Sequence, residues 1–300
     1  MILKKLTYYL FRAFIALFSI IPFRILYIIS DGVFFLVYYL IDYRKKVVFG
    51  NLWNSFPEKS AEEINVIAVK FYHHLVDVLV ESLKAFSMSE DEIIERYKFV
   101  HNEFLDDLYK QGKQVLCVAG HYNNWEWAGI AAGKQMMHRP VGFYKPLTNK
   151  YVDAFIQKTR VQGRSVLVSI VRTAAIFKTD WGEPAAFYMV GDQSPSSPRL
   201  AYWVKFLNQD TATLHGPEKY ARMYDLPVIF VCARKLKRGY YQVEFSMLEE
   251  KPSITKTGEI TAKFMNRLEK VINEDPQYYL WSHRRWKHQR AENQSNPPFL

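Results

Sequence analysis

Two stretches place a histidine five residues ahead of a carboxylate: His121 to Glu126 in "GHYNNWEW" and His101 to Asp106 in "HNEFLDDL". Imidazole beside a carboxylate is a simple general-base device. The ring takes a proton, while the carboxylate fixes the tautomer and stabilises the imidazolium that forms. With 8 His and 30 Asp+Glu in 300 residues, about 0.8 such pairs are expected by chance. Spacing therefore decides nothing, and the elements around each pair must.

His101 falls in a polar helical pattern that ends at "YKQG". At roughly 100° per residue its side chain and that of Asp106 point about 140° apart, so this pair is expected to do no chemistry. His121 has a different setting. It follows the apolar run "QVLCVA" (114–119) and Gly120, which is read as allowing a sharp turn. Further strand-like runs lie at 140–144, 165–170, 185–190, 227–233 and 240–247, with helical patterns near 125–137, 149–160 and 216–225. Alternation of this kind predicts an α/β domain whose central, mostly parallel sheet is flanked by helices. Sites in such sheets form at the carboxyl ends of strands, where His121 falls. Asn123 or Asn124 is placed to cap the next helix, and Glu126 in its first turn to fold back toward His121.

Such a pair suits acyl transfer from a thioester to an alcohol. The chain has no G-x-S-x-G elbow, and neither Cys117 nor Cys232 has an activating context, so no covalent acyl-enzyme is indicated. Both cysteines lie in apolar runs and read as core thiols of a reducing compartment. His74 with Asp77 or Glu81 reads as helix-face polarity: no H-E-x-x-H pattern or third ligand accompanies it, and neither metal nor cofactor is expected. The helix that carries them starts with a capping box, Ser60 and Glu63.

The composition, 49% apolar and 16% aromatic, is that of a folded chain, and the net charge of +10 favours an anionic partner. No zinc-finger, helix-turn-helix or RNA-binding pattern appears and the cations are scattered, which argues against nucleic acid. Residues 6–41 are apolar apart from Arg12, Pro22, Arg24 and Asp31, with tyrosines near the edges and Lys4-Lys5 and Arg44-Lys45-Lys46 outside them. That pattern predicts a membrane anchor, either embedded in one leaflet or crossing at a tilt, and no cleavage site follows it.

In order along residues 20–288 stand "RKKVVFGNLWNSFPEKS", "GHYNNWE", "GFYKPLTN", "TRVQGRSVLVS", "MVGDQSP", "VKFLNQDTATLHGPEKYA" and "DPQYYLWSHRRWK". Through these motifs the chain resembles the late acyltransferases of lipid A biosynthesis, of lauroyl- and myristoyltransferase type, within the glycerophosphate-type acyltransferases that share H-x4-[D/E]. The resemblance implies a membrane-anchored α/β enzyme. Such an enzyme moves a fatty chain from acyl carrier protein to a hydroxyl of a lipid A precursor, at the inner membrane with the catalytic domain on the cytoplasmic face. It implies His121 and Glu126 as the catalytic dyad, and Arg160, Asp192 and Gln193 as residues that support the site or bind substrate. Tyr144, Lys145 and Arg164 join the binding set, although lysine stands at 145 where arginine is more usual, and Arg164 where glycine is often found. The expected organisation is an anchor over 1–43, an acyltransferase domain over 44–290 and a tail over 291–300. An aminolipid or glycolipid acceptor is the alternative, and a non-enzymatic basic membrane-binding module a more distant one.

Overall fold

A computed structural model of the protein describes residues 2–160, 163–199, 201–290 and 296. The chain opens with two apolar helices, α1 (Ile2–Ser19) and α2 (Phe23–Phe35), the second continuing as a π-helical turn over Leu36–Leu40. After α3 (Lys45–Ser55) comes the long α4 (Ala61–Ala85), which begins at the predicted capping box. The Ser60 side chain accepts from the Glu63 N–H, and the Glu63 carboxylate accepts from the Ser60 N–H at 2.8 Å. Two short helices follow, α5 (Glu90–Arg96) and α6 (Glu103–Lys110), with strand β1 (Tyr97–Val100) between them.

The α/β alternation starts at β2 (Val115–Ala119) and runs through α7 (Ala128–Gln135), β3 (Arg139–Tyr144), α8 (Lys150–Arg160) and β4 (Val166–Ser169). A single helical turn, α9 (Thr173–Ile176), leads to β5 (Ala185–Val190). A two-stranded hairpin, β6 (Tyr202–Phe206) and β7 (Gln209–Thr213), then leads into α10 (Gly216–Tyr224). The antiparallel pair β8 (Val228–Lys237) and β9 (Tyr240–Glu249) and the helix α11 (Glu259–Glu274) complete the domain.

Seven strands make one sheet in the order β1-β9-β8-β2-β5-β3-β4, parallel at every pairing except β8 with β9. This is the predicted α/β architecture. The middle strand β2 is covered on both faces, which is why it reads as an unbroken apolar run. Leu116 and Val118 face a core shared with α4 and α11, whereas Val115 and Cys117 face one shared with α5, α6 and α7. Both cysteines are buried and free.

Two local expectations are corrected and a third is refined. His101 lies ahead of α6 rather than in it, in a left-handed conformation at φ 53°. The turn read at Gly120 is present, as a bend at His121 with the Tyr122 N–H on the Gly120 carbonyl at 2.9 Å, and it needs no positive φ at the glycine. The glycine's missing side chain makes room for α11, because a Cβ there would lie 2.8 Å from the Leu268 methyls. His74, Asp77 and Glu81 do not stand on an open helix face but are 5%, 1% and 0% exposed. Of the expected tail, Asn296 alone is described, its amide paired with the backbone of Trp203.

Candidate active site

Strands β2 and β5 are hydrogen-bonded neighbours, in parallel register with Ala119 opposite Val190. Each then runs through a glycine into a polar residue, Gly120-His121 from one strand and Gly191-Asp192 from the other. Equal advance along paired strands brings those residues together. The His121 backbone N–H donates to Asp192 Oδ2 at 2.9 Å, and its Nδ1–H donates to Asp192 Oδ1 at 2.6 Å. With the proton on Nδ1, Nε2 carries the lone pair and accepts from the Gln193 amide at 3.0 Å.

The carboxylate on the imidazole is therefore Asp192, not Glu126. Asp192 is 2% exposed with both oxygens engaged by His121, which leaves it no edge for a substrate. Glu126 sits in the turn before α7, because the chain between is spent on a left-handed Asn123 (φ 55°) and a bridge from Tyr122 to Tyr279. Asn124 accepts from the Trp127 N–H at 3.3 Å and so supports the start of α7, the part foreseen for an asparagine here. Glu126 still acts on the ring through its charge. Burial draws the His121 pKa down, but the Asp192 charge and hydrogen bond, with the Glu126 charge, outweigh it and leave the pKa raised. Asp192 is pushed up by burial, yet its His121 contacts and the Arg285 charge take it below the usual carboxylate range.

The segment 275–287 holds this loop from below. Asn123 N–H donates to the Tyr278 carbonyl at 3.0 Å and Leu280 N–H to the His121 carbonyl at 3.2 Å. Trp281 is buried with its indole on the Pro276 carbonyl, and Arg285, 2% exposed, donates to the Ala212 carbonyl at 2.6 Å. His283 Nε2 accepts from the Ser194 N–H at 3.1 Å, which steadies the strand end that carries Asp192 and Gln193. Part of this basic stretch is thus internal scaffolding rather than a solvated tail.

A second support comes from α4. Glu81 accepts from Asn124 Nδ2, the Tyr241 hydroxyl and the Tyr27 hydroxyl, each at 2.8 Å, and its backbone carbonyl accepts from the Trp127 indole at 3.1 Å. Burial raises its pKa to about 7. Glu81→Ala would strand the Asn124 amide and the Tyr241 and Tyr27 hydroxyls, each costing on the order of 1–3 kcal/mol, and would leave the Trp127 indole its backbone acceptor. Clearly lowered stability in urea unfolding is expected, with a smaller loss for Glu81→Gln. Wild-type stability in Glu81→Ala would show that the loop does not depend on this joint.

The remaining predicted residues divide between the two ends of the sheet. Tyr144 ends β3 on the same side as His121, but its hydroxyl is taken up by Asp153, at 3.3 Å, and by Gln157. Lys145 follows it, exposed. Arg160 closes α8, and its side chain lies outside the described residues. Its neighbour Thr159 lines a small cavity together with Glu126. Arg164 is a correction. It binds Glu183 at 2.6 Å and the Met136 and Met137 carbonyls at 2.8 Å, at the amino ends of β3 and β5, so it fastens the far edge of the sheet. Among the described residues no His, Cys, Asp and Glu cluster has the makings of a metal site.

Beside Glu126 an apolar cavity of about 200 Å³ opens between α7 and the strands β3, β4 and β5. Trp125 lines it and stands edge-on to the His121 ring at 5.1 Å between centroids, and Leu167, Met189 and Val190 line it from the strands. The site thus offers an oriented imidazole next to an apolar slot.

Comparison with known proteins gives one family. The family described as bacterial lipid A biosynthesis acyltransferase matches residues 1–288. The lipid A biosynthesis lauroyltransferase of Escherichia coli (strain K12) is 26% identical over 276 residues, covering 89% of this chain and 87% of that protein. The palmitoleoyltransferase of the same strain and a lipid A biosynthesis acyltransferase of Shigella flexneri are each 24% identical over 254 residues, covering 81% of this chain and 79% of theirs.

Proposed function

The chain belongs to the bacterial lipid A biosynthesis acyltransferases and is an acyl-transferring enzyme; from that premise we propose that it esterifies a hydroxyl of a lipid A precursor with a fatty chain from acyl carrier protein, with His121 as general base. The observation that carries this reading is the His121–Asp192 pair beside an apolar cavity, one of whose lining residues, Trp125, lies edge-on to the His121 ring. The acceptor hydroxyl takes the place of the Gln193 amide at Nε2. Its proton passes to the imidazole as the oxygen attacks the thioester carbon, and Asp192 stays ionised beside the imidazolium. When the tetrahedral intermediate collapses, the carbon–sulfur bond breaks and the imidazolium returns the proton to the departing thiolate. The products are an ester and the free carrier thiol. The apolar cavity takes the acyl chain, and Glu126, which lines it, adds negative charge near the developing imidazolium.

Both substrates are anionic, a phosphorylated lipid and an acidic carrier protein, and the +10 chain draws them by long-range attraction. Salt shortens the screening length from ~10 Å at 0.1 M to ~3 Å at 1 M. kcat/KM with acyl carrier protein is therefore expected to fall steeply over that range, and with coenzyme A thioesters to fall less. Equal use of both donors without salt dependence would remove the carrier protein from the reading. Lipid mass spectrometry of a deletion strain tests the acceptor. A lost acyl chain on lipid A supports the proposal, and one lost on an aminolipid or glycolipid moves the activity to that acceptor. The enzyme's place is the cytoplasmic face of the inner membrane, where carrier-bound acyl chains are made.

A further inference from the structure

We propose that α1 and α2 form a monotopic seat that lies in one leaflet of an anionic membrane, with no segment crossing it, so that the acceptor reaches the cleft sideways from that leaflet. The sideways route rests on the acyltransferase reading above; the seat does not.

By length and composition Phe23–Leu40 is able to cross a bilayer. Its inner face argues otherwise. Tyr27 donates to Glu81 and Ser30 to Asp77, both at 2.8 Å, and Asp31 accepts from Arg238 at 2.6 Å. Further along, Tyr38 donates to Asn65 at 3.1 Å. These partners stand on α4 and at the β8–β9 turn. If α2 crossed, Asp77, Glu81, Lys235 and Arg238 would enter the hydrocarbon with it, each at roughly 2.5–3.5 kcal/mol near the centre. The elbow between the helices is also tied down. Lys84, 8% exposed, donates from α4 to the Ser19 carbonyl at 2.5 Å and the Ile21 carbonyl at 2.9 Å. In α1, Phe11 packs edge-on against Phe86 and Phe155 at 5.9 and 5.8 Å.

The outer faces have no such partners and are apolar. On α1 the exposed residues Leu3, Leu6, Leu10, Phe14 and Leu17 recur at helical spacing. Along α2 and its π turn, Ile25, Ile28, Phe35, Leu36 and Leu40 do the same. Exposed Lys4, Lys5, Arg12, Arg24 and Lys46 border these stripes. The exposed carboxylates nearby, Asp31 and Asp42, are paired with Arg238 at 2.6 Å and Lys45 at 2.7 Å, so the rim is net cationic. Such a rim opposes a second copy and suits anionic headgroups, at about 1 kcal/mol per cation near the surface.

The seat adjoins the cleft. Lys4 donates to the Thr148 carbonyl at 3.4 Å and accepts from the Asn149 amide at 2.9 Å, on the loop leaving β3 at the His121 end of the sheet. Between α1 and α8 runs an open cleft of about 710 Å³ lined by Arg12, Lys150, Tyr151, Phe155 and Lys158. Cations and aromatic rings side by side in that cleft fit the phosphorylated head of an amphiphile whose chains stay in the leaflet.

Arg24→Cys and Lys46→Cys, made separately in the full chain, flank the apolar segment. The native Cys117 and Cys232 are buried, their pKa values pushed up to about 12 by burial, and give little background. In intact spheroplasts both new thiols are expected to escape an impermeant maleimide and both to react after permeabilisation. Labelling of one alone before permeabilisation would establish a crossing helix and overturn the seat. Labelling of both from outside would keep the seat and sink the cytoplasmic placement of the function. A second variant, Leu10→Glu with Ile28→Glu, is expected to bind phosphatidylglycerol vesicles at least tenfold more weakly than wild type and to keep its transfer rate on detergent-dispersed acceptor. Unchanged vesicle binding, or a detergent-free dimer that buries both stripes, would overturn the proposal. No transfer by wild type or variant, with the expected binding change, would count against the functional reading alone.

Discussion

His121→Ala is expected to lower acyl transfer by at least ~10²-fold, the lower end of what a positioned base supplies, while His101→Ala and Asp106→Ala leave it within about twofold. The contrast rests on placement, since both histidines precede a carboxylate by the same spacing. His121 leaves the carboxyl end of the central strand, with Nδ1 on a buried carboxylate and Nε2 turned to a single exchangeable amide. His101 stands in a left-handed turn on the surface ahead of α6. If the hydroxyl attacks the thioester directly, as proposed above, loss of the imidazole should slow a single chemical step rather than trap an acyl-enzyme. Single-turnover assays with acyl carrier protein should show no burst in wild type or variant. Glu126→Ala is expected to lose less than His121→Ala, because Glu126 reaches the ring by charge alone. An essential His101, or a dispensable His121, would refute the assignment of the base.

Much of the sheet was readable because its central strands β2, β5 and β8 are buried over at least half of their length and so are near-continuous apolar runs, while β9 alternates buried and part-exposed residues. All six runs singled out in the sequence are strands, and the ends at Ala119, Tyr144 and Val190 fall as expected. What escaped was either short or lay outside the alternation. β1 has four residues at the sheet edge, and the β6–β7 hairpin turns on left-handed Leu207 and Asn208, a pair with little turn signal. α11 escaped although its stripe of Ile260, Phe264, Leu268 and Ile272 was there to be read. The site was half legible. His121 could be placed from its own neighbours, but its partner could not, because that contact depends on β5 returning between β2 and β3 after two intervening strands. One local signal existed. "VAGH" and "MVGD" are the same device, an apolar strand closed by glycine and a polar residue, and two such strands paired in register bring the polar residues together. The roles of Glu81 and Arg285 had no such signal, since only tertiary packing puts a carboxylate and a guanidinium in the interior.

Asp192→Asn is expected to cost about 10²–10⁴ in plateau kcat/KM and to move the acid limb of the pH profile downward. Both effects follow from the two hydrogen bonds. The His121 backbone N–H needs an acceptor, so the asparagine carbonyl oxygen takes that bond and its amide turns to Nδ1. An amide there donates, so the ring proton moves to Nε2 and the lone pair that must accept the substrate proton is lost. The shift has a definite sign. In the wild type the His121 pKa is raised, because the Asp192 and Glu126 contributions outweigh burial. Only the neutral ring is a base, so wild-type activity should fall away as pH drops through a value above the ordinary 6.5 of histidine. With the Asp192 charge gone, burial dominates and the ring gives up its proton at lower pH. Glu126→Gln removes the weaker charge and leaves the tautomer intact, so its limb should shift in the same direction by less, with most of the plateau kept. The measurement is kcat/KM against pH for the three proteins with one acyl-carrier donor. A near-normal plateau in Asp192→Asn, with the plateau lost in Glu126→Gln, would mean that Glu126 becomes the orienting carboxylate once substrate is bound.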